Sequence, residues 1–382
     1  IESIDLLRGL VMLIMTLDHA RFFFFMAHPL SDPMHLDGLE PGLFFSRWLT
    51  HFCAPVFVFL TGVSAYLYGQ KQGCTRRELS LFLFKRGLLL IFLEATVINF
   101  VWTFSLPHTV LYFQVIWAIG FSMVCLSLLI HLPQWIIITV GVAITFGHNL
   151  LGPISFPVDT IPGILWAFLH DRNVIAITET LFLRTSYPAL AWVGVIALGY
   201  AAGQLFRLNN GAQRRKWLIS LGGAAILLFL FLRSLNLYGD DNLFDAGSTG
   251  IMAVMSFFNL TKYPPSLLFL LMTLGPSLIW LAISERWHNR ITAFIIKFGK
   301  VPFFYYVLHL YVLHLAYRFT AMMHGYNWDL SPNDSTLPYR YSLESVPEFW
   351  GVAILTVLAL YPLVSWFVLL KQRKSWSVLS YL

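Results

Sequence analysis

The residues best suited to chemistry lie in the first stretch, Glu2 to Arg21, which reads ESIDLLRGLVMLIMTLDHAR. Nine uncharged residues follow Arg8, and then Asp18, His19 and Arg21 appear just before a run of phenylalanines, Phe22 to Phe25. On a helix, the eleven residues from Arg8 to His19 span about three turns and about 16 Å, so the two share a face without touching. An imidazole within a membrane span can serve as base, acid or hydrogen-bond bridge. Ionisable residues are costly there and mark functional sites. Asp18 points about 100° away from His19, within reach of Arg21 at i+3 or of a histidine on another helix. Arg8 can pair with Asp5, meet an anionic ligand or anchor one end of the span.

Two further stretches hold polar groups among apolar residues. In KFGKVPFFYYVLHLYVLHL, His309 stands among Tyr305, Tyr306 and Tyr311, and His314 is rotated about 140° from it. That density of tyrosine and histidine can line a polar cavity or supply interfacial aromatics around a core histidine. In LLLIFLEATVINF, Glu94 must be protonated, paired or facing water. It is a candidate partner for Arg8, for His19 or for a substrate, with Gln114 and Trp117 as weaker members of the same cavity.

The elements that position these residues follow from composition. Of 382 residues, 58% are hydrophobic and only 12% charged, about half the charge of a soluble domain. The long apolar runs therefore predict an all-α polytopic membrane protein, a single domain over residues 1–382. Ten helical spans are expected, near 4–26, 46–69, 79–104, 110–131, 134–150, 187–207, 216–234, 265–284, 291–318 and 349–371. Sixteen of the 25 Lys and Arg residues fall toward one side of this arrangement, and eight toward the other, with Arg8 near the richer side. That bias predicts cytoplasmic N- and C-termini. The outer loops, 27–46, 151–186, 235–264 and 319–348, mix acids with aromatics and suit either a polar, amine-bearing or sugar-like ligand or simple caps on the bundle.

The net charge of +6 sits in short loops between spans and gives no nucleic-acid signal. Cys53, Cys74 and Cys125 follow no disulfide or metal-knuckle spacing, and the histidines are too scattered for a metal site. The first apolar run meets no small-residue cleavage site, so no cleavable signal peptide is expected in it. Phosphate-binding loop, nucleophile-elbow, H-E-x-x-H, voltage-sensor and potassium-filter motifs are absent, and so is any strong internal repeat.

Three stretches, SIDLLRGLVMLIMTLDHARFFF, SRWLTHFCAPVFVFLTGVSAYLYG and GKVPFFYYVLHLYVLH, resemble the bacterial relatives of the heparan-α-glucosaminide N-acetyltransferase catalytic domain, within a wider group of transmembrane acyltransferases. The likeness spans most of the chain and is sharpest in the first ~70 residues and in 291–318. It implies transfer of an acetyl or other acyl group from acetyl-CoA on the cytoplasmic side to an amine or hydroxyl of a sugar or glycan on the outer side. The arginine–glycine pair with a histidine eleven positions on falls on Arg8, Gly9 and His19. The resemblance makes His19 or His28 the catalytic base or acyl carrier, with Asp18 standing near a family asparagine. It also makes Arg8, Arg86, Lys297 and Lys300 candidates for the donor phosphates, and Glu94, His309 and Tyr305 candidates for substrate contact. It further implies a multi-pass protein of the bacterial inner membrane, in contact with lipid and compatible with a homodimer. The rival reading is a proton-coupled transporter or flippase for a polar metabolite or lipid-linked sugar, with His19, Glu94 and His309 as a relay.

Overall fold

A computed structural model describes residues 1–26, 28–70, 74–208, 210–326 and 341–373. Lys71, Arg340, Lys374 and much of the outer loop 319–348 lie outside these. The described residues are mostly helical: α1 (Glu2–Phe24), α2 (Pro41–Thr50), α3 (Cys53–Gly69), α4 (Arg76–Leu93), α5 (Asn99–Thr103), α6 (Val115–Leu129), α7 (Gln134–Gly147), α8 (Ile161–Leu169), α9 (Leu190–Ala202), α10 (Gly211–Leu235), α11 (Gly250–Phe258), α12 (Leu267–Ser284), α13 (Arg290–Lys300), α14 (Pro302–Met323) and α15 (Val346–Arg373). Three short strands, β1 (Val110–Phe113), β2 (Val174–Ala176) and β3 (Phe182–Thr185), pair in the order β1-β3-β2, with β1 parallel and β2 antiparallel to β3.

Six helical segments among the described residues are long and apolar enough to cross a membrane: Pro41–Gly69, Gln134–Leu151, Leu190–Arg207, Gly211–Leu235, Leu267–Ser284 and Val346–Arg373. This is an integral membrane protein. Every one of the ten expected spans coincides with helix, but four differ from a plain apolar span. The helix α1 carries Glu2, Asp5, Arg8, Asp18 and Arg21, and α4 carries Arg76, Arg77, Glu78, Lys85 and Arg86. The expected span 110–131 begins as strand β1, leaving α6 only 15 residues. The expected span 291–318 is α13 and α14, which meet at 88° and make a seventh crossing only if taken together. Pro302 is the cause: it lacks an N–H and drives the residue before it out of the helical region. Val301 accordingly sits at φ −134°, ψ 51°.

Local signals explain the helix starts. Thr75 and Glu78 form a capping box ahead of α4, and Asn289 and Thr292 form one ahead of α13. Pro41 opens α2 and Pro302 opens α14, positions where a missing N–H costs nothing. The stretch 151–186, expected as an outer loop, holds α8, β2 and β3 around Ala167, Ile175 and Leu183.

The chain gathers into two compact units. Unit 1 comprises residues 1–53, 98–107 and 284–382, and unit 2 residues 54–97 and 108–283. In unit 1, α1 packs against α13, α14, α15 and α2. Its closest approach is to α13. A Cβ on Gly9 would stand 2.1 Å from the Ile295 carbonyl oxygen, and one on Gly299 would stand 1.8 Å from that of Asp5. In unit 2, α4 packs on α6, and α9 on α6 and α7. Gly62 of α3 meets the Ile196 carbonyl in the same manner, at 2.2 Å from a notional Cβ. A small residue there permits close helix packing.

Candidate active site

In unit 1, α1 and α14 face one another through two matched pairs of polar residues. Thr16 and His19 lie three apart on α1, and Tyr305 and His309 lie four apart on α14, so each pair occupies one helical face. The Nδ1 of His19 is 2.7 Å from Nε2 of His309. The Nδ1 of His309 is 2.6 Å from the backbone carbonyl of Tyr305. Because a carbonyl only accepts, His309 must carry its proton on Nδ1 and present a lone pair at Nε2. His19 therefore donates from Nδ1, and its own lone pair resides on Nε2. His309 is fully buried and stacks on both the His19 and the Tyr305 rings, at centroid separations of 4.9 Å. His19 is only partly buried, with Trp102 of α5 edge-on to its ring at 5.1 Å.

The second polar pair fixes the same interface. Thr16 donates to the Met12 carbonyl at 3.2 Å, so the 2.7 Å bond between Thr16 and Tyr305 has the tyrosine hydroxyl as donor. Both groups are buried.

Asp18 turns away from His19. Its carboxylate accepts from Arg21 at 3.0 Å, the expected i+3 pair, and from Arg47 of α2 at 2.6 Å. Arg47 also holds Asp32, which lies 3.5 Å from the buried His51. The aspartate thus ties α1 to α2 and, through Arg47, to the loop between them. His28 lies exposed past the end of α1, its ring stacked on Phe25 at 4.3 Å.

Arg8 makes the expected bond to Asp5 at 3.0 Å and donates to the Gly299 carbonyl at 3.1 Å. It is therefore a positive group at the carbonyl end of α13. Lys297 and Lys300 stand on that helix and line a cavity of about 710 Å³ with His288, Arg290, Ser365 and Gln372. Lys297 donates to Tyr361 Oη at 2.7 Å and Ser365 Oγ at 3.2 Å. Among the expected donor contacts, Arg8, Lys297 and Lys300 belong to unit 1 and Arg86 to unit 2.

Glu94 also belongs to unit 2, in a single π-helical turn, Glu94–Ile98. Its carboxylate accepts from the backbone N–H of Gln114 at 3.3 Å and of Trp117 at 2.9 Å. These are N-terminal groups of α6, so Glu94 caps a helix, and Gln114 and Trp117 serve it through their backbones. The proposed relay of His19, Glu94 and His309 gains no support from that geometry.

Sequence reasoning missed Trp102, the Arg47–Asp32–His51 cluster and the Tyr361–Ser365 clasp on Lys297. All are contacts between residues far apart in the chain, and no local spacing announces them. Arg47 alone carried a signal, as a charge next to an apolar run.

No curated protein matches the chain in sequence. Residues 1–239 match the family described as heparan-alpha-glucosaminide N-acetyltransferase, catalytic. The match includes Arg8, Gly9, His19 and Glu94 and ends before Tyr305 and His309. It covers more than half of the sequence, and the chain belongs to that family.

Proposed function

We propose that this protein is an integral membrane acetyltransferase that moves an acetyl group from cytoplasmic acetyl-CoA to an amine or hydroxyl of an extracytoplasmic sugar or glycan. Family membership supplies the activity class, a membrane acetyltransferase. The observation that carries the assignment of the base is the His19–His309–Tyr305 chain of hydrogen bonds, which fixes the His19 tautomer. A neutral imidazole with its lone pair on Nε2 is poised to take a proton from an acceptor N–H or O–H. The acceptor nitrogen or oxygen then bonds to the thioester carbonyl carbon, the carbon–sulfur bond breaks, and His19 returns the proton to the departing thiolate. His309 is the positioning residue behind it, and Tyr305 holds α14 against α1. His28, outside this chain of bonds, has no such support.

The cavity flanked by Lys297, Lys300, Arg290 and His288 suits the phosphates of the donor, since ammonium and guanidinium groups make charge-assisted bonds to such oxygens. Arg8 supports it from below by anchoring α13. About 16 Å of α1 separates Arg8 from His19, a length on the scale of a pantetheine arm. Loop charge supports cytoplasmic termini and an even number of crossings, and the family likeness is what implies a bacterial inner membrane.

The test is a reconstituted assay with labelled acetyl-CoA and glucosamine. The wild type should transfer label, and His19→Ala should lose on the order of 10²–10⁴ in rate. Full activity in His19→Ala with loss in His28→Ala would move the chemistry to His28. Absence of any acetyl-CoA binding would end the enzyme reading.

A further inference from the structure

Unit 2 contains three cations gathered around one tyrosine, none of them in an ion pair among the described residues. Arg172 follows α8, Arg184 is on β3, and Lys262 precedes α12. The Arg172 guanidinium lies 4.8 Å from the centre of the Tyr263 ring, and the Lys262 ammonium lies 5.2 Å from it. Arg184 interacts electrostatically with Arg172, Tyr112 and Tyr263, and Tyr112 is its cross-strand neighbour on β1. The Tyr263 hydroxyl donates to that of Tyr187 at 3.3 Å.

Such a grouping is unfavourable by itself. Lys262 is 3% exposed, and among the described residues none of the three cations forms an ion pair or a side-chain hydrogen bond. The nearest acid in sequence, Asp171, lies 3.6 Å from His170 instead. Burial, and then the charge of Arg172, both disfavour the charged form of Arg184. A cation over a tyrosine face recovers about 0.5–2 kcal/mol, while like charges held close repel one another. Like charges held together at such a cost are the mark of a site shaped for a counter-charge.

We propose that Lys262, Arg184 and Arg172, with the Tyr187 and Tyr263 hydroxyls, form an oxyanion site on unit 2 that binds a dianionic phosphate group. Three cations match a dianion better than a carboxylate, which would leave two of them uncompensated. The group can come from a lipid headgroup or from a soluble phosphate ester. These residues belong to unit 2 and the transfer chemistry is assigned to His19 of unit 1, and either assignment can fail without the other.

The experiment follows thermal unfolding of the purified full chain by tryptophan fluorescence. Inorganic phosphate should raise the Tm of the wild type above that in chloride or acetate of equal ionic strength. Arg172→Gln, at an exposed position, should weaken the apparent phosphate affinity about tenfold, the cost of one charge-assisted hydrogen bond. Lys262→Met should abolish the response and, without phosphate, unfold at the same or a higher temperature than the wild type. Should that variant fail to fold, Arg184→Gln takes its place and should also lose the response. In nanodiscs, stabilisation by phosphatidic acid over phosphatidylcholine, lost in Arg172→Gln, identifies a lipid headgroup. Stabilisation by dissolved phosphate alone identifies a soluble ester. A phosphate response no greater than that to chloride or acetate, or one unchanged in the variants, overturns the proposal.

Discussion

The imidazole of His19 acts through what surrounds it. Its Nδ1 proton is claimed by His309, whose own proton is claimed by a backbone carbonyl. The role of His309 as a positioning residue gives a prediction at this scale. His309→Phe keeps an aromatic ring but removes the acceptor, so kcat should fall about 10–100-fold, as for loss of an orienting partner to a histidine, with KM for acetyl-CoA unchanged. An unchanged kcat would show that the tautomer is set elsewhere. Asp18 makes the contrasting case. It bonds two arginines, one of them on α2, so Asp18→Asn should lower stability by about 1–3 kcal/mol through a weakened, largely buried pair. Its loss of kcat should be far smaller than that of His19→Ala. Thermal unfolding read beside initial rates separates the two roles.

Among the elements, α1 and α13 form the contact on which the site depends. Two glycines, Gly9 and Gly299, let their backbones meet without room for a methyl group. Gly9→Ala should therefore force α13 outward and cost about 1–3 kcal/mol, the usual penalty of overpacking. Because Lys297 and Lys300 stand on α13, KM for acetyl-CoA should rise more than kcat falls. The π-helical turn in unit 2 supports another prediction. Glu94→Ala leaves the N–H of Trp117 without its carboxylate, so stability should fall by about 1–2 kcal/mol. A circular dichroism melt measures this, and a loss of activity without any loss of stability would instead return Glu94 to the substrate. The 88° turn at Pro302 belongs to this scale too, since it separates the helix bearing the cationic cavity from the helix bearing His309.

At the scale of the molecule, the proposed ten crossings require both termini on one face. A reporter active only in the cytoplasm, fused to the C-terminus, should be active, and the same reporter fused after Asp245 should be silent. An active reporter at both places would overturn the proposed sidedness. The described residues hold six plainly apolar crossings, seven with the bent pair. The shortfall from ten has a physical reason. The helix α1 carries Glu2, Asp5, Arg8, Asp18 and Arg21, α4 carries four basic residues and Glu78, and α6 is short because the residues before it pair in a sheet. Charge therefore falls on the helices that look least like membrane spans.

Composition and apolar runs by themselves determined the class of protein and the location of most of the long helices, and three stretches including Arg8, Gly9 and His19 pointed to the family. These are local properties: a stretch of about 20 apolar residues must form its hydrogen bonds internally within a bilayer, and a histidine in it is conspicuous at any resolution of reading. The pairings among Asp5 and Arg8 and among Asp18 and Arg21 were legible for the same reason, because three residues make nearly one turn. What Tyr305, His309, Glu94 and Arg8 bond to was settled only by tertiary structure. Their long-range bonds join residues 20 to 291 apart, and no periodicity in one helix specifies which face of another it will meet. The same limit kept hidden the three cations around Tyr263, which come from a turn, a strand and a loop that only the folded chain brings together.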